Sequence, residues 1–328
     1  MSKILVFGAG PIGSLYAARL AAASHDVSLL ARGRRLAELR EYGIVLEDAP
    51  TGIRTVTRVD LVERLGPRDA YDLVLVVMRK NHVLQALPAL AANDGTPNVL
   101  FLGNNAAGPS ELVRALGGDR PLLGFPGSAG ARHGHAMLCL SGTPRQKATI
   151  PIGEVDGRIT ERTRHVADIL ETMSGHAVEI RTDMDAWLKT HVALLMPGLA
   201  AALYAAGTDR LRLARSRETL ALGIRATREA LEVLDALGVP ITPRRAAVLR
   251  WLPEPVIVAM VRRLLRRDEM EVAFVAHALA ARDEMIHLTD EFRVLARTTS
   301  VPTPAMDELY PWLRGDAGTS EEREERAA

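Results

Sequence analysis

The sequence predicts an α/β protein in two parts, a parallel-sheet domain over residues 1–180 followed by an all-helical domain over residues 181–314. Three observations lead there. A chain of 328 residues exceeds what one hydrophobic core usually spans, roughly 250–300 residues, so two domains are expected. The first half alternates short β-branched apolar runs with stretches of helical spacing, the order that buries a parallel sheet under helices. Beyond Thr182 the pattern is helical, and no apolar run there has comparable strand character.

The strands of the first domain are predicted at 3–7, 27–31, 73–78, 98–102 and 121–125, where buried apolar segments recur. Between them, 12–23, 33–42, 81–92 and 109–116 carry helical periodicity. A Gly-rich turn follows Phe125. The runs 136–140 and 148–152 then suggest a strand pair around a loop at 141–146. A helix over 158–173 and a last strand near 177–181 complete the domain. The second domain should hold helices at 184–206, 210–237, 243–251, 254–267, 269–296 and 304–312. Residues 315–328, with the run EEREER, read as a charged, disordered tail.

Composition narrows the partners. Apolar residues make up 48% and charged residues 25%, values of a globular chain, and 41 basic against 40 acidic residues give no bulk attraction to nucleic acid or an anionic membrane. A small molecule is the expected partner. Cys139 is the single cysteine and cannot form an intrachain disulfide. With a start that already reads as folded domain, a cytoplasmic location is expected. The uncharged stretch 192–208 contains Pro197 and Gly198, is shorter than a bilayer requires, and reads as a buried helix. Lysine occurs at Lys3, Lys80, Lys147 and Lys189, the other 37 basic residues being arginine. A lysine can release its proton when partly buried and an arginine cannot, so a lysine near a pocket is informative.

The motif that carries chemistry is Gly8-Ala9-Gly10-Pro11-Ile12-Gly13, directly after the first strand and opening the first helix. In that context GxGxxG is a dinucleotide fingerprint of a Rossmann-type domain rather than an ordinary glycine-rich turn. Gly8 permits the tight turn, Gly10 admits the pyrophosphate to the backbone, and Gly13 lets helix pack close to strand. Where NAD-binding proteins place a carboxylate after the second strand, this sequence has Arg32-Gly33-Arg34-Arg35. Guanidinium there pairs with a 2′-phosphate, so NADP(H) is expected, with Arg32 as the reader and Arg34 and Arg35 either sharing the phosphate or decorating a helix start.

With these motifs in hand, the chain resembles the ketopantoate reductase (2-dehydropantoate 2-reductase) family. The likeness runs through GAGPIGSLYAARL, the arginine of LLARGRR, the asparagines of LGNNAAG, WLKTH at the head of the second domain, and Glu284 about twenty residues before Pro304. It implies an NADPH-dependent reductase of a 2-oxo acid, with Lys189 as general acid, Asn105 near the nicotinamide and Glu284 near the ribose and the lysine. It also implies a backbone contact at Ala129, a helical domain closing over the nicotinamide, a role in pantothenate biosynthesis and a homodimer. The family's lysine after the third motif strand is replaced by Arg79, with Lys80 next to it, and either could reach the cofactor or a substrate carboxylate. Its two asparagines four and eight residues beyond the catalytic lysine align with Ala193 and Pro197, and its substrate serine with Val272. A more apolar or bulkier oxo acid is therefore expected.

An ammonium beside the carbonyl can attract the forming oxyanion and then protonate it. Partial desolvation and a carboxylate partner suit that task. Residues four and eight positions on share the helical face of Lys189, whereas His191 points about 200° away. Two alternatives use the same architecture: an imine- or opine-type reductase, and a non-catalytic NADP(H) sensor. His133 and His135 form HxH without the convergent ligands a zinc site needs, so no metal is expected.

Overall fold

The structure, a computed structural model, describes residues 1–316. The chain divides into two compact units, Met1–Asp185 and Ala186–Ala328, five residues beyond the boundary predicted from sequence.

The first unit runs β1 (Lys3–Phe7), α1 (Pro11–Ala22), β2 (Asp26–Leu30), α2 (Gly33–Tyr42), β3 (Ile44–Asp48), β4 (Arg54–Thr57), β5 (Asp60–Val62), β6 (Leu73–Val76), α3 (Lys80–Ala91), β7 (Val99–Leu102), α4 (Ser110–Leu116), β8 (Pro121–Gly124), β9 (Ala129–His133), β10 (Ala136–Leu140), β11 (Ala148–Glu154), α5 (Glu161–Glu171) and β12 (His176–Ile180). Eight strands form one sheet in the order β12-β11-β8-β7-β6-β1-β2-β5. Every neighbouring pair in it is parallel except β8 with β11. The central strands are apolar throughout because both faces are covered; Ile4, Leu5, Val6, Leu73, Val74, Leu75 and Leu100 have no exposure.

A second sheet, β4-β3-β10-β9, departs from expectation. The runs 136–140 and 148–152 are both strands, but they do not pair. β10 lies between β3 and β9, and β11 joins the large sheet between β8 and β12. The connection passes so close to β12 that a Cβ on Gly142 would stand 2.1 Å from the Gly175 carbonyl oxygen. β4, β5 and β9 carry no buried apolar run that would announce them, and β3 has only the three residues Ile44-Val45-Leu46. β4 is mostly exposed and β9 reads Ala-Gly-Ala-Arg-His, so pairing with neighbours rather than local pattern makes them strands. α1 packs between the two sheets and is buried from Gly13 to Ala18.

The second unit is helical. α6 (Met184–Leu195) begins at the boundary and continues through a π-helical turn, Met196–Ala200, into α7 (Ala201–Ala205). The combined helix Met184–Ala205 is 22 residues long. It exceeds the predicted apolar stretch and is long and apolar enough to cross a membrane by length and composition, yet 67% of its most apolar window is buried in the fold. α8 (Arg210–Arg215) and α9 (Arg217–Ala236) replace the single helix expected at 210–237, because Ser216 breaks the run and caps α9, its Oγ accepting from Thr219 N–H at 3.3 Å. A 3₁₀ segment, Arg244–Arg250, and α10 (Glu254–Leu265) follow.

The helix expected at 269–296 is divided into a π-helical turn, Glu271–Val275, then α11 (Ala276–Ala280) and α12 (Arg282–Arg297), with non-helical backbone at Ala281 (φ −133°, ψ 38°). α13 (Pro304–Arg314) ends on Gly315 in the left-handed conformation. Gly315 and Asp316 therefore finish a helix, and the remainder of the predicted tail lies outside the described residues. Gly198 and Gly223 let the 184–205 helix and α9 touch backbone to backbone: a Cβ on Gly198 would lie 2.3 Å from Gly223 O.

Candidate functional site

The large sheet reverses its strand order at β1, which has β2 on one side and β6 on the other. In open α/β sheets ligands bind outside the carboxyl ends of the strands at this point. The glycine motif sits there. Gly8 follows β1 with φ +124°, and a Cβ on it would lie 2.3 Å from Val77 O at the end of β6. A Cβ on Gly13 would lie 1.9 Å from Gly8 O, so helix α1 can approach the loop only without a side chain. Gly10, the N-cap of α1, differs from both. Nothing stands within 4 Å of its missing Cβ, and Pro11 presets the first helical turn. The two outer glycines fit the loop to the protein, and the middle one leaves space at a helix N-terminus, where an anion is favoured. These residues fit a dinucleotide pyrophosphate.

The other residues singled out in this unit follow the carboxyl ends of β2, β6, β7 and β8. Arg32 is exposed at the end of β2, and its Nε donates to the Glu63 carbonyl at 3.0 Å, beyond β5. Arg34 is exposed and paired with Glu38 at 3.0 Å. Arg35 does not decorate the helix start; it folds back under the glycine loop and donates to Ala9 O, His135 O and Ser14 Oγ, each at 3.1 Å.

The structure separates Arg79 from Lys80. Lys80 is buried, with Nζ 4.0 Å from Glu111 Oε2 of α4, whereas Arg79 is half-buried at the N-cap of α3, beside the end of β6. After β7, the Asn105 amide is spent on its own loop: Nδ2 donates to Gly108 O at 3.0 Å and Oδ1 accepts from Gly108 N–H at 3.1 Å. Its neighbour Asn104 carries a buried Oδ1 that accepts no hydrogen bond among the described residues. The sequence points to Asn105 rather than Asn104, and two adjacent asparagines give no signal of which amide the loop consumes. Ala129 begins β9, one residue after Ser128, whose Oγ meets His176 Nε2 at 2.9 Å. His176 is fully buried and its ring meets Tyr16 edge to face. Burial and the charge of Arg19 lower its pKa to about 4.

In the second unit Lys189 is half-buried on α6. Trp187 and His191, two residues to either side, stack with ring centres 5.3 Å apart, so they share a face that Lys189 does not. Burial, with the charge of His277 behind it, lowers the His191 pKa to about 4. Thr190 is buried, and its Oγ1 accepts from Thr242 N–H at 3.2 Å. Glu284 does not lie on a solvated face. It is 3% exposed in the first turn of α12, and its Oε2 stands 3.5 Å from His277 Nε2. Ala193 and Pro197 are buried and Val272 is half-buried; Pro197 and Val272 fall in the two π-helical turns. His133 faces Glu47 at 3.4 Å, and His135 stacks on Tyr42.

Comparison with known proteins agrees with this geometry. Residues 4–156 match the family model described as ketopantoate reductase PanE/ApbA. A 2-dehydropantoate 2-reductase of Mesorhizobium japonicum is 35% identical over 91 residues, a stretch that covers 27% of each chain. Among solved structures, D-mandelate dehydrogenase with NADH and anilino(oxo)acetate superposes with a TM-score of 0.77 at 14% identity, covering 95% of this chain and 97% of that one. The PanE/ApbA family ketopantoate reductase from Ralstonia eutropha JMP134 gives 0.75 at 22% identity, with the same coverage of both chains. Residues 4–156 thus resemble the ketopantoate reductase family in sequence, and over nearly its whole length the chain shares the fold of solved ketopantoate reductases.

Proposed function

We propose that this chain reduces the carbonyl of a 2-oxo acid to the 2-hydroxy acid with NADPH as cofactor. The observation that carries the reading is the glycine loop at the strand-order reversal, with open space at Gly10 and two glycines that a side chain would force apart. A reduced nicotinamide, when bound, supplies the hydride. Gly8, Gly10 and Gly13 shape the pyrophosphate cradle, and the α1 N-terminus faces it. Arg32 reads the 2′-phosphate, since no carboxylate follows β2 to claim a ribose hydroxyl. Arg79 rather than Lys80 reaches an anionic group, because Lys80 is buried toward Glu111. Asn104, with its unsatisfied buried Oδ1, accepts a hydrogen bond at the nicotinamide end, and Asn105 holds the loop that presents it.

Lys189 protonates the oxygen as negative charge develops on it, and the buried carboxylate of Glu284 offers it a counter-charge. The substrate tail is apolar or bulky. Alanine, proline and valine stand at the three positions where the family's polar substrate contacts align, and a mandelate dehydrogenase shares the fold.

The test is a rate screen over 2-oxo acids, including ketopantoate and phenylglyoxylate, with NADPH and NADH, repeated with Lys189→Ala. The expected result is faster turnover with NADPH, preference for the aromatic acid, and a fall in kcat of about 10²–10⁴-fold in the variant. Full activity in Lys189→Ala would remove the lysine from the chemistry. Equal use of both cofactors would remove the specificity assigned to Arg32, and consumption of NADPH only when an amine accompanies the oxo acid would replace the carbonyl reaction with reductive amination.

A further inference from the structure

We infer that Arg35 is a positioning residue for the phosphate loop: its guanidinium ties back the Ala9 carbonyl and so turns the Gly10 amide toward the pyrophosphate. The inference rests on the cofactor reading above and adds a residue that the glycine fingerprint does not contain.

Arg35 and Arg34 are neighbours at the start of α2, yet their side chains are 11% and 87% exposed. The Arg35 fork spans three acceptors from different parts of the fold: Ala9 O within the glycine loop, Ser14 Oγ in the first turns of α1, and His135 O in the turn between β9 and β10. Ser14 Oγ also donates to Ala9 O at 3.3 Å, so that carbonyl is held from two directions. A trans peptide is planar, with C=O and N–H pointing opposite ways. Fixing Ala9 O toward Arg35 therefore directs Gly10 N–H away from it. The same restraint keeps a carbonyl dipole from facing an incoming phosphate, where it would repel.

Geometry rather than bulk charge is the active element. Glu38 Oε2 lies 3.5 Å from Arg35 Nη1, and Glu38 also pairs with Arg34 and Arg132. One carboxylate shared by three guanidinium groups offsets only part of the Arg35 charge, so the decisive variant is one that keeps that charge and removes the fork. A lysine can keep that charge, but it lacks a planar fork able to serve three acceptors at once.

The experiment is titration of NADPH and of NADH into the full-length protein and its Arg35→Lys variant, with Arg32→Ala as control and amide hydrogen exchange of residues 8–14 measured without nucleotide. Arg35→Lys is expected to weaken both nucleotides by the same factor, about tenfold, the scale of one or two lost hydrogen bonds, and to speed exchange in the loop. Arg32→Ala is expected to weaken NADPH alone. Wild-type affinity for both nucleotides in Arg35→Lys would overturn the inference while leaving the cofactor reading intact. Loss of NADPH affinity alone would also overturn it, since Arg35 would then be reading the 2′-phosphate. Wild-type protein that binds neither nucleotide would overturn the cofactor reading and the inference together. Should Arg35→Lys fail to fold, Ser14→Ala carries the test: a smaller but equal loss for both nucleotides is expected, and unchanged affinity for both overturns the inference.

Discussion

The glycine loop of the first unit and the surroundings of Lys189 in the second are built by opposite means. In the loop the functional atoms belong to the backbone, and the sequence is constrained by what must be missing: Gly8 and Gly13 each leave a Cβ position already occupied by another peptide. Around Lys189 the atoms proposed to act are side chains on helices, and apart from glycine and proline the residues differ in helix preference by at most about 0.7 kcal/mol. On the proposed reading the substrate-facing positions are Ala193 on α6 and Pro197 and Val272 in the two π-helical turns. A site made of backbone is marked in the sequence by its glycine spacing; a site made of helical side chains carries no such steric mark.

The largest effect that could break this contrast is at the glycines. Gly13→Ala places a methyl 1.9 Å from a carbonyl oxygen that cannot swing aside. Overpacking of this kind costs about 1–3 kcal/mol, sometimes more, and the displaced loop should lose nucleotide binding. Gly10→Ala has open space and an ordinary φ of −72°. It should melt with the wild type and lose only affinity. Differential scanning calorimetry and nucleotide titration on both variants separate the two roles. If Gly10→Ala melts early and Gly13→Ala does not, the assignment of space to ligand and of contact to fold is reversed.

The same contrast explains how much was legible in the sequence. The central strands were readable because burial on both faces demands unbroken apolar runs, and the phosphate loop because its spacing is steric. β4 and β9 were not, since an exposed or short strand is made by its partner. Ser216 and Ala281 divided two predicted helices because periodicity continues through a break that capping decides. Within the site, Arg32 and Arg35 look alike in LLARGRR, yet one is exposed at the end of β2 and the other lies beneath the loop. Nor does the adjacency of Asn104 and Asn105 show which amide closes the turn. Sequence reported the residue types that a backbone site requires; which of two like neighbours turns inward depends on contacts made far away in the chain.

A smaller effect compares the units through two imidazoles, fully buried His176 and half-buried His191. His176 in the first and His191 in the second both titrate near pH 4, chiefly because burial disfavours the cation. An unfolded histidine titrates near 6.5, so each folded value is depressed. As pH falls below about 6.5 the unfolded chain takes up protons that the folded one refuses. Stability is therefore whole above that pH and is lost progressively down to about pH 4. Melting temperatures measured from pH 7 to pH 4 should fall by several degrees. His176→Gln should flatten the pH dependence of the first unit and His191→Gln that of the second, followed by hydrogen exchange in β12 and α6. An unchanged slope in either variant would place that imidazole outside the acid response.

The smallest effect is expected at Arg34, and there the value of the experiment lies in its contrast with Arg35. The Arg34 side chain is 87% exposed and pairs with Glu38 one helical turn away, an arrangement that solvent and side-chain entropy nearly cancel. Glu38 keeps Arg35 and Arg132 when Arg34 is removed. Arg34→Ala should move the melting temperature by less than about 2 °C and leave NADH affinity unchanged. NADPH affinity is the discriminating measurement. If Arg32 alone reads the 2′-phosphate, it too stays constant; if the two guanidinium groups share the phosphate, NADPH binding weakens and its salt dependence falls, because fewer charges then meet the anion. Either outcome leaves the loop intact, so a loss at Arg34 that spares NADH would reassign phosphate reading within the cluster without touching the role of Arg35 beneath it.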